Sequence, residues 1–197
     1  DTETDSLDVL PANVVGIGLS NSPTKAFYIP FNGSLDRKVT QQKIQRFFED
    51  KKLQFYAHNA KYDYHILKNI EIELSHIQFD TMIASYLIET QKRTHSLDAL
   101  AMQHFHKQKI PFSSLVAKKG DTLAVAPVEK VAKYCCEDAD YTCRLHQYFT
   151  KELAAKQLST VMADLEVPLI PVLAAMERAG IFLDVIKLNE LGKQLER

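Results

Sequence analysis

The chain has 197 residues, which is long enough for one substantial domain and part of a second. Its 46% hydrophobic and 25% charged residues are typical of a globular protein, and no apolar run approaches the roughly 20 residues that cross a bilayer, so we expect no membrane partner. The formal net charge of −1 excludes a simple polycationic nucleic-acid binder but not an enzyme that acts on nucleic acid.

The first half of the chain predicts strands followed by strand–helix units. Residues 1–4 are predicted to end a first strand that begins upstream. Residues 13–20 and 25–31 predict a β-hairpin, because "NSPT" between them has turn chemistry. The next predicted elements are a helix over 40–52 capped by Thr40, a strand over 53–58, a helix over 59–70 capped by Asn59, a strand over 76–80 and a helix after Asp80.

From Ser96 the chain is predicted to be mainly helical, with a loop over 118–127 and a long helix over about 128–153. Strands first and helices later predict an α/β or α+β fold, in which helices pack over a mixed sheet. A second region begins near Leu158. Its predicted features are a helix interrupted by Pro168 and Pro171, a stop at Gly180, an extended segment over 181–184 and a final amphipathic helix that reaches Arg197. We therefore expect two domains, 1–157 and a truncated 158–197.

Positive charge is concentrated in one segment. Between Thr90 and Val128 there are six Lys or Arg residues against two acids. Such a segment would attract a phosphate backbone, although a solvated basic surface explains it equally well. The basic residues are Lys92, Arg93, Lys107, Lys109, Lys118 and Lys119.

The three cysteines predict neither a disulfide framework nor a zinc site. Cys135, Cys136 and Cys143 make an odd count, and their spacing does not match a structural zinc site. We interpret them as reduced core residues of a cytoplasmic protein.

Acidic residues occur where apolar ones are expected. Asp1 and Glu3 alternate at a strand end and so point to one face, which by itself indicates either wet surface or part of a metal site. In the helix over 59–70, Asp63 shares a face with Ile66, Leu67 and Ile70 at helical spacing.

The long helix over 128–153 repeats this pattern. Asp138 lies within the stripe formed by Val131, Tyr134, Tyr141 and Leu145. A carboxylate that faces a core is costly unless it is capped, paired or bound to a metal.

Four carboxylates from three segments, Asp1, Glu3, Asp63 and Asp138, together predict a site for a hard divalent cation such as Mg²⁺. Three other acids have simpler explanations and are left out of the site. Asp80 is an N-cap, Asp98 lies in a first helical turn, and Asp140 faces away from Asp138.

Three segments resemble the motifs of one enzyme superfamily. "DTETDSLD", "HNAKYDYHIL" and "YCCEDADYT" are similar to the D-x-E, N-x-x-x-[YF]-D and Y-x-x-x-D motifs of the DEDDy 3′–5′ exonucleases, most closely the proofreading domain of bacterial DNA polymerase I. "FDTMIASYLI" and "EVPLIPVLAAMERAGIFLD" resemble that family too. The resemblance implies a ribonuclease H-like three-layer fold, with a mixed central sheet that starts as an antiparallel meander, followed by the helical start of a polymerase domain.

The resemblance also implies roles for residues. Asp1, Glu3 and Asp138 would hold one of two Mg²⁺ ions, which Mn²⁺ or Zn²⁺ can replace, and Asp1 and Asp63 would serve the other. Tyr134 would hold the attacking water, and two ions would clamp the attacking and leaving oxygens. The implied contacts to the terminal nucleotide are Leu7, Asn59, Tyr62 and Phe112, although Leu7 and Tyr62 are also explained as core residues and Asn59 as a cap.

The implied function is removal of nucleoside 5′-monophosphates from the 3′ end of single-stranded or frayed DNA. The implied protein is a bacterial, nucleoid-associated monomer linked to a polymerase region of the same chain. An Asp1 that opens the chain would place its α-amino cation beside the metals and weaken their binding. Three alternatives remain open: an exoribonuclease of the RNase D type, a silent structural module, and a calcium-stabilised binding domain.

Overall fold

The computed structural model describes residues 1–116 and 121–196. Lys118 and Lys119 of the basic segment, the start of the loop predicted over 118–127, and Arg197 therefore lie outside the described residues. The described part has an α/β, ribonuclease H-like fold, in which helices cover two small sheets. This confirms the predicted fold class.

The first sheet is an antiparallel meander of three strands. Strand β1 (Thr2–Thr4) pairs with β2 (Val14–Ser22), which pairs with β3 (Lys25–Pro30). The hairpin predicted from the turn residues is confirmed. The first part of β2 is buried on both faces, with Val14, Val15 and Ile17 in the core, and Ile17 lies opposite Thr2 in the ladder.

The second sheet is a parallel pair built by one strand–helix–strand unit. Strands β4 (Phe55–Ala57) and β5 (Ile77–Asp80) are connected by helix α2 (Ala60–Asn69). In the described part of the chain the two ladders stay separate, whereas one mixed sheet is expected from the resemblance. On the edge of β1 that faces away from β2, a side chain takes the place of a neighbouring strand. There the carboxylate of Asp63 accepts hydrogen bonds from the hydroxyl and the backbone N–H of Thr2.

Helices make up the remaining layers. Near the parallel pair lie α1 (Arg37–Phe48), α3 (Thr81–Ile88) and α4 (Leu97–Phe105). Two short 3₁₀ turns, Phe112–Ser114 and Leu123–Val125, precede the 28-residue helix α5 (Val128–Ala155). After α5 come α6 (Ser159–Val161), a π-helical turn (Met162–Glu166), α7 (Val167–Ala179) and α8 (Val185–Leu195).

Two predicted helix caps are wrong. Helix α1 begins earlier than expected, because the carboxylate of Asp36 accepts the backbone N–H of Val39, and Thr40 is buried inside the helix. Asn59 does occupy the position before α2, with left-handed backbone geometry (φ 68°), but its side chain makes no capping hydrogen bond. The strand predicted over 53–58 is also shorter, since only β4 pairs with β5.

Helix α5 crosses the first sheet at very close range. A Cβ atom on Gly18 of β2 would lie 2.6 Å from Sγ of Cys135 and 3.0 Å from its carbonyl oxygen. Gly18 also exchanges backbone hydrogen bonds with Asp1. The absence of a side chain at Gly18 therefore sets the distance between β1, β2 and α5, and with it the position of the N-terminal acids.

The helix after Leu158 is distorted in the turn before its first proline, and neither proline breaks it. It runs from Ser159 to Ala179, and Pro168 and Pro171 both lie inside α7. The irregularity is the preceding π turn, Met162–Glu166, which widens the backbone before the two residues that cannot donate an N–H.

Among the described helices, Ser159–Ala179 is the one that is long and apolar enough to cross a membrane, a test that core helices of other proteins also pass. Charged residues interrupt its apolar sequence, and several of its side chains contact α2 or the core. Ile170 and Ala174 are buried, Glu177 pairs with Lys61 at 2.5 Å, and Arg178 donates to Asn69 at 3.0 Å. Helix α7 therefore packs on α2.

We expect Gly18→Ala to lower the free energy of unfolding by about 1–3 kcal/mol, because the added methyl group overlaps Cys135. Urea titration followed by circular dichroism measures the effect. Gly192→Ala is the matched control: no atom lies within 4 Å of its Cβ position in α8, so this change should stabilise the helix slightly. Equal effects of the two substitutions would contradict the close-packing argument.

Candidate active site

One open cavity of about 290 Å³ brings together most of the predicted site residues. It lies between β1, the segment that follows β1, and helix α5. The helical period of α5 and the strand alternation of β1 turn their acids toward the same space. The predicted residues that line it are Asp1, Glu3, Leu7, Tyr62, Phe112, Tyr134 and Asp138. Asp63 and Asn59 do not line this cavity.

Asp63 lies behind β1 and is buried, as its place on the apolar face of α2 predicts. Its Oδ1 accepts a hydrogen bond of 2.8 Å from Oγ1 of Thr2. Burial raises the pKa of the Asp63 carboxyl, and its hydrogen bonds to Thr2 oppose that rise. Together with Asp1 and Thr2, it lines a second, smaller cavity of about 90 Å³. Asp1 is thus the acid that the two cavities share.

Glu3 is almost completely buried, and one of its carboxylate oxygens is unsatisfied. Oε1 makes no hydrogen bond with any described residue. Ligand atoms of Asp1, Glu3 and Cys135 all lie within 4.8 Å of one another. Burial, and secondarily the charge of Asp138, raises the pKa of Glu3 to about 7.

Asp138 contacts a lysine that lies 29 positions before it in the sequence. The Nζ atom of Lys109 lies 2.5 Å from Oδ1 of Asp138 and 2.9 Å from Oδ1 of Asp98. Burial raises the pKa of Asp138 to about 6 against the opposing charge of Lys109. Burial lowers the pKa of Lys109, but the two carboxylates outweigh it, so the net shift is upward.

Tyrosine side chains form one wall of the cavity. The ring of Tyr134 lies 5.0 Å from Nζ of Lys109, and burial together with the charges of Asp138 and Glu3 raises its hydroxyl pKa. The hydroxyl of Tyr62 donates to the carbonyl of Ser6 at 3.0 Å and lies 2.5 Å from Oγ1 of Thr4. Tyr62 therefore ties α2 to the end of β1.

The other predicted nucleotide contacts differ in exposure. Leu7 is 94% exposed and Phe112 is 51% exposed, so both present apolar surface at the rim of the cavity. The core explanation of Leu7 is excluded by this exposure. The backbone of Asn59 lies beside Asp80, and its role as a nucleotide contact stays a prediction.

Asp80 holds two helix N-termini at once. As predicted, its carboxylate caps α3, accepting the N–H groups of Met82 and Ile83 at 2.8 and 3.1 Å. It also accepts the N–H groups of Asn59 and Ala60, the latter at 2.6 Å. Asp80 thereby supplies the cap of α2 that Asn59 lacks, and so positions Asp63 and Tyr62.

Three features of the site were not deduced from the sequence. Lys109, expected on a basic surface, is buried among the acids. Asp98 does lie in the first turn of α4, but it also pairs with Lys109. Cys135 is a core residue as predicted, yet its Sγ lies 3.6 Å from Oδ2 of Asp1. Asp140 binds Thr24 and Arg144 and faces away from the site, as predicted.

The residues present fit a hard divalent cation. The buried carboxylates of Glu3 and Asp138 and the partly buried carboxylate of Asp1 line the large cavity, and Asp63 lies behind β1. Oε1 of Glu3 is a buried carboxylate oxygen to which no described residue donates. Magnesium takes such oxygen ligands and keeps open positions for water and phosphate. A divalent ion would also offset the burial and the repulsion from Asp138 that together raise the pKa of Glu3.

A family model described as a 3′–5′ exonuclease, of the DNA polymerase A exonuclease type, matches residues 1–154. DNA polymerase I of Pseudomonas aeruginosa is 35% identical over 211 residues, which cover 99% of this chain and 23% of that protein. DNA polymerase I of Borreliella burgdorferi is 37% identical over 188 residues, which cover 93% of this chain and 20% of that protein. The chain thus spans about a fifth to a quarter of the length of these relatives.

Solved structures share the fold. The POL domain of Pol1 from M. smegmatis, in complex with DNA primer-template and dNTP, has a TM-score of 0.77 and 20% identity, over 98% of this chain and 30% of that one. Brucella melitensis NrnC with bound Mg²⁺ has a TM-score of 0.70 and 18% identity, over 93% and 88% of the two chains. At these identities the likeness concerns the fold alone.

The buried carboxyl of Glu3 gives the metal-free protein a specific pH dependence. Its raised pKa means that the folded state binds a proton more tightly than the unfolded state, so this group reduces stability as pH rises from about 4.5 to 7. Relative to wild type, Glu3→Gln should therefore gain about 1–3 kcal/mol of unfolding free energy over that interval. Denaturant titrations in EDTA at several pH values measure the difference.

The comparison between variant and wild type is essential because of His58. Burial lowers its pKa to about 4, so this group makes the free energy of unfolding rise with pH, whereas Glu3 makes it fall. That slope is common to both proteins and cancels. A difference between Glu3→Gln and wild type that stays constant with pH would contradict the raised pKa of Glu3.

Asp80→Ala should lower the free energy of unfolding by about 2–3 kcal/mol, because it leaves donors at two helix ends without their buried acceptor. Asp36→Ala is the matched control, since Asp36 caps one helix at an exposed position and should cost about 1 kcal/mol. Thermal and denaturant unfolding measure both. An Asp80 effect no larger than that of Asp36 would contradict the double cap.

Proposed function

Because the chain belongs to the 3′–5′ exonuclease family whose model matches residues 1–154, we propose that it removes nucleoside 5′-monophosphates from the 3′ end of single-stranded or frayed DNA. The proposed biological role is proofreading for a DNA polymerase I. The observation that carries this proposal is the convergence of Asp1, Glu3 and Asp138 on one open cavity. Nothing in that arrangement requires a protein nucleophile.

Two Mg²⁺ ions, or Mn²⁺ or Zn²⁺ in their place, would supply the charge that stabilises the attacking and leaving oxygens. Asp1, Glu3 and Asp138 would hold one ion, and Asp1 and Asp63 the other. The position of Asp1 between the two cavities supports this division. The solved NrnC structure with bound Mg²⁺ supports the choice of metal by its shared fold.

The chain's own side chains would orient the reactants. The hydroxyl of Tyr134, whose raised pKa keeps it protonated at neutral pH, would hold the attacking water. Leu7 and Phe112 expose apolar surface at the cavity rim, where they would stack against the unpaired terminal base. Tyr62 and Asn59 would contact the terminal nucleotide from the start of α2. A single strand fits best, because the terminal nucleotide must enter the site unpaired. An apolar stacking surface would accept any base there.

We propose that the exonuclease domain comprises residues 1–157 and that 158–197 begin a polymerase region of the same chain. The family match ending at residue 154 and the polymerase relatives support this division. Exposed apolar side chains are frequent in the C-terminal segment, which supports a covered surface in the longer protein. The proposed setting is a monomer that acts on nucleoid DNA in a bacterial cytoplasm.

The test is degradation of 5′-labelled single-stranded DNA by this chain with Mg²⁺ or Mn²⁺. We expect shortening from the 3′ end, and we expect Asp63→Ala and Asp138→Ala to reduce it to the level measured in EDTA, because each removes a metal-binding carboxylate. Asp140→Ala is the control, since its carboxylate binds Arg144 outside the site and the variant should stay active.

The same assay with an RNA strand of identical sequence decides the substrate. Faster degradation of RNA would replace the proposed DNA activity with an RNase D-type activity. Equal degradation by wild type and by both site variants would contradict the metal-site proposal. Complete inactivity of a folded wild-type protein in both metals would indicate a structural module.

A further inference from the structure

Lys109 is a buried cation at the centre of the acid cluster. Its side chain is only 4% exposed, and its ammonium lies 2.5 Å from Oδ1 of Asp138 and 2.9 Å from Oδ1 of Asp98. A buried lysine is rare unless it is paired, and here it is paired with two acids at once. One of the two, Asp138, is a proposed metal ligand, and the other is not.

The backbone next to Lys109 is hydrogen-bonded to α5, which restricts where the lysine side chain can lie. The N–H of Ile110 donates to Oε2 of Glu137 at 2.7 Å, one residue before Asp138. The ammonium also lies 5.0 Å from the centre of the Tyr134 ring, a distance typical of a cation–π contact. These two contacts to α5 therefore aim Lys109 at Asp138.

A magnesium or manganese ion bound to Asp138 would compete directly with this ammonium. Metal ligands lie about 2.0–2.1 Å from Mg²⁺, so an ion on Oδ1 would stand within a few ångströms of a positive charge that now contacts the same oxygen. At such a separation, with little water between them, two cations repel strongly. The ammonium must then give up Asp138.

Asp98 offers the ammonium a second partner away from the metals. The Asp98 side chain is 76% exposed in the first turn of α4, and it already contacts Nζ of Lys109. A small rotation of the lysine side chain would keep this ion pair while releasing Asp138. Asp98 thus has the geometry of a holder for the displaced cation.

We propose that Lys109 is a resident counter-ion that competes with the divalent cation for Asp138, and that Asp98 holds the lysine ammonium once Asp138 binds the metal. In the metal-free protein, Lys109 offsets the charge of a buried carboxylate. In the metal-bound protein, it lowers metal affinity through competition and residual repulsion. This inference rests on the proposed function, because it takes Asp138 as a metal ligand.

The experiment measures Mn²⁺ binding to the whole chain without nucleic acid, by isothermal titration calorimetry and by the electron paramagnetic resonance signal of free Mn²⁺. Lys109→Met should tighten Mn²⁺ binding by about tenfold, because it removes the competing charge at nearly constant side-chain volume. Asp98→Asn should weaken binding by about threefold, because the ammonium then has Asp138 as its one remaining carboxylate partner among the described contacts.

The double variant Lys109→Met/Asp98→Asn provides the sharpest comparison. If Asp98 acts through Lys109, then Asp98→Asn changes Mn²⁺ affinity in wild type but has no effect when Lys109 is already Met. Lys107→Met is the matched control, because Lys107 is an exposed lysine two residues away, and its removal should leave the affinity within about twofold. Circular dichroism verifies folding of each variant, and Lys109→Gln replaces Lys109→Met if the latter unfolds.

The outcomes separate the two proposals. One outcome is that Asp138→Asn weakens Mn²⁺ binding while Lys109→Met leaves it unchanged or weakens it. This result would overturn the role of Lys109 and would still support the metal site. An Asp98→Asn effect of equal size with and without Lys109 overturns the role of Asp98 as a holder. Mn²⁺ binding that is absent from wild type, or unaffected by Asp138→Asn, overturns the proposed function itself.

Discussion

Burying several carboxylates close together costs free energy, and the structure around the site depends on how that cost is offset. Glu3 and Asp138 are each less than one-tenth exposed, and burial raises the pKa of both. Different contacts offset this cost at each acid. Asp63 accepts hydrogen bonds from Thr2, Asp138 faces the ammonium of Lys109, and Glu3 keeps one oxygen without a donor among the described residues. The three acids thus differ in how far contacts within the chain offset their burial.

Much of the fold serves to bring these acids together around one open cavity. Gly18 lets α5 approach the first sheet, so that Asp138 reaches the acids of β1. Helix α2, which carries Asp63, is held at its N-terminus by Asp80 and along its side by Glu177 and Arg178 of α7. Because α7 belongs to the segment after residue 157, the position of Asp63 depends physically on residues outside the exonuclease family match. Helix α2 therefore contacts both β1 and the segment after residue 157.

Local periodicity explains why much of the site was predictable. A helix repeats every 3.6 residues and a strand every two, so the inward direction of Asp63 and Asp138 follows from spacing. For Asp1 and Glu3 the spacing predicts only that they share one face. The same holds for Asp80 as the cap of α3, since capping involves residues within one turn. The prediction of Asn59 as a side-chain cap was wrong because a residue 21 positions away, Asp80, takes that role. Spacing carries no information about such a partner.

The sequence by itself determined the fold class, the order of strands and helices, and the acids that face inward, because these depend on contacts within a few residues. Only the tertiary structure decided that Lys109 pairs with Asp138, that Cys135 adjoins Asp1, that Asp63 lies behind β1, and that the strands form two ladders. Each of these depends on how distant segments pack against one another. A close approach such as that at Gly18, where an added Cβ would lie 2.6 Å from Sγ of Cys135, is not written in any local pattern.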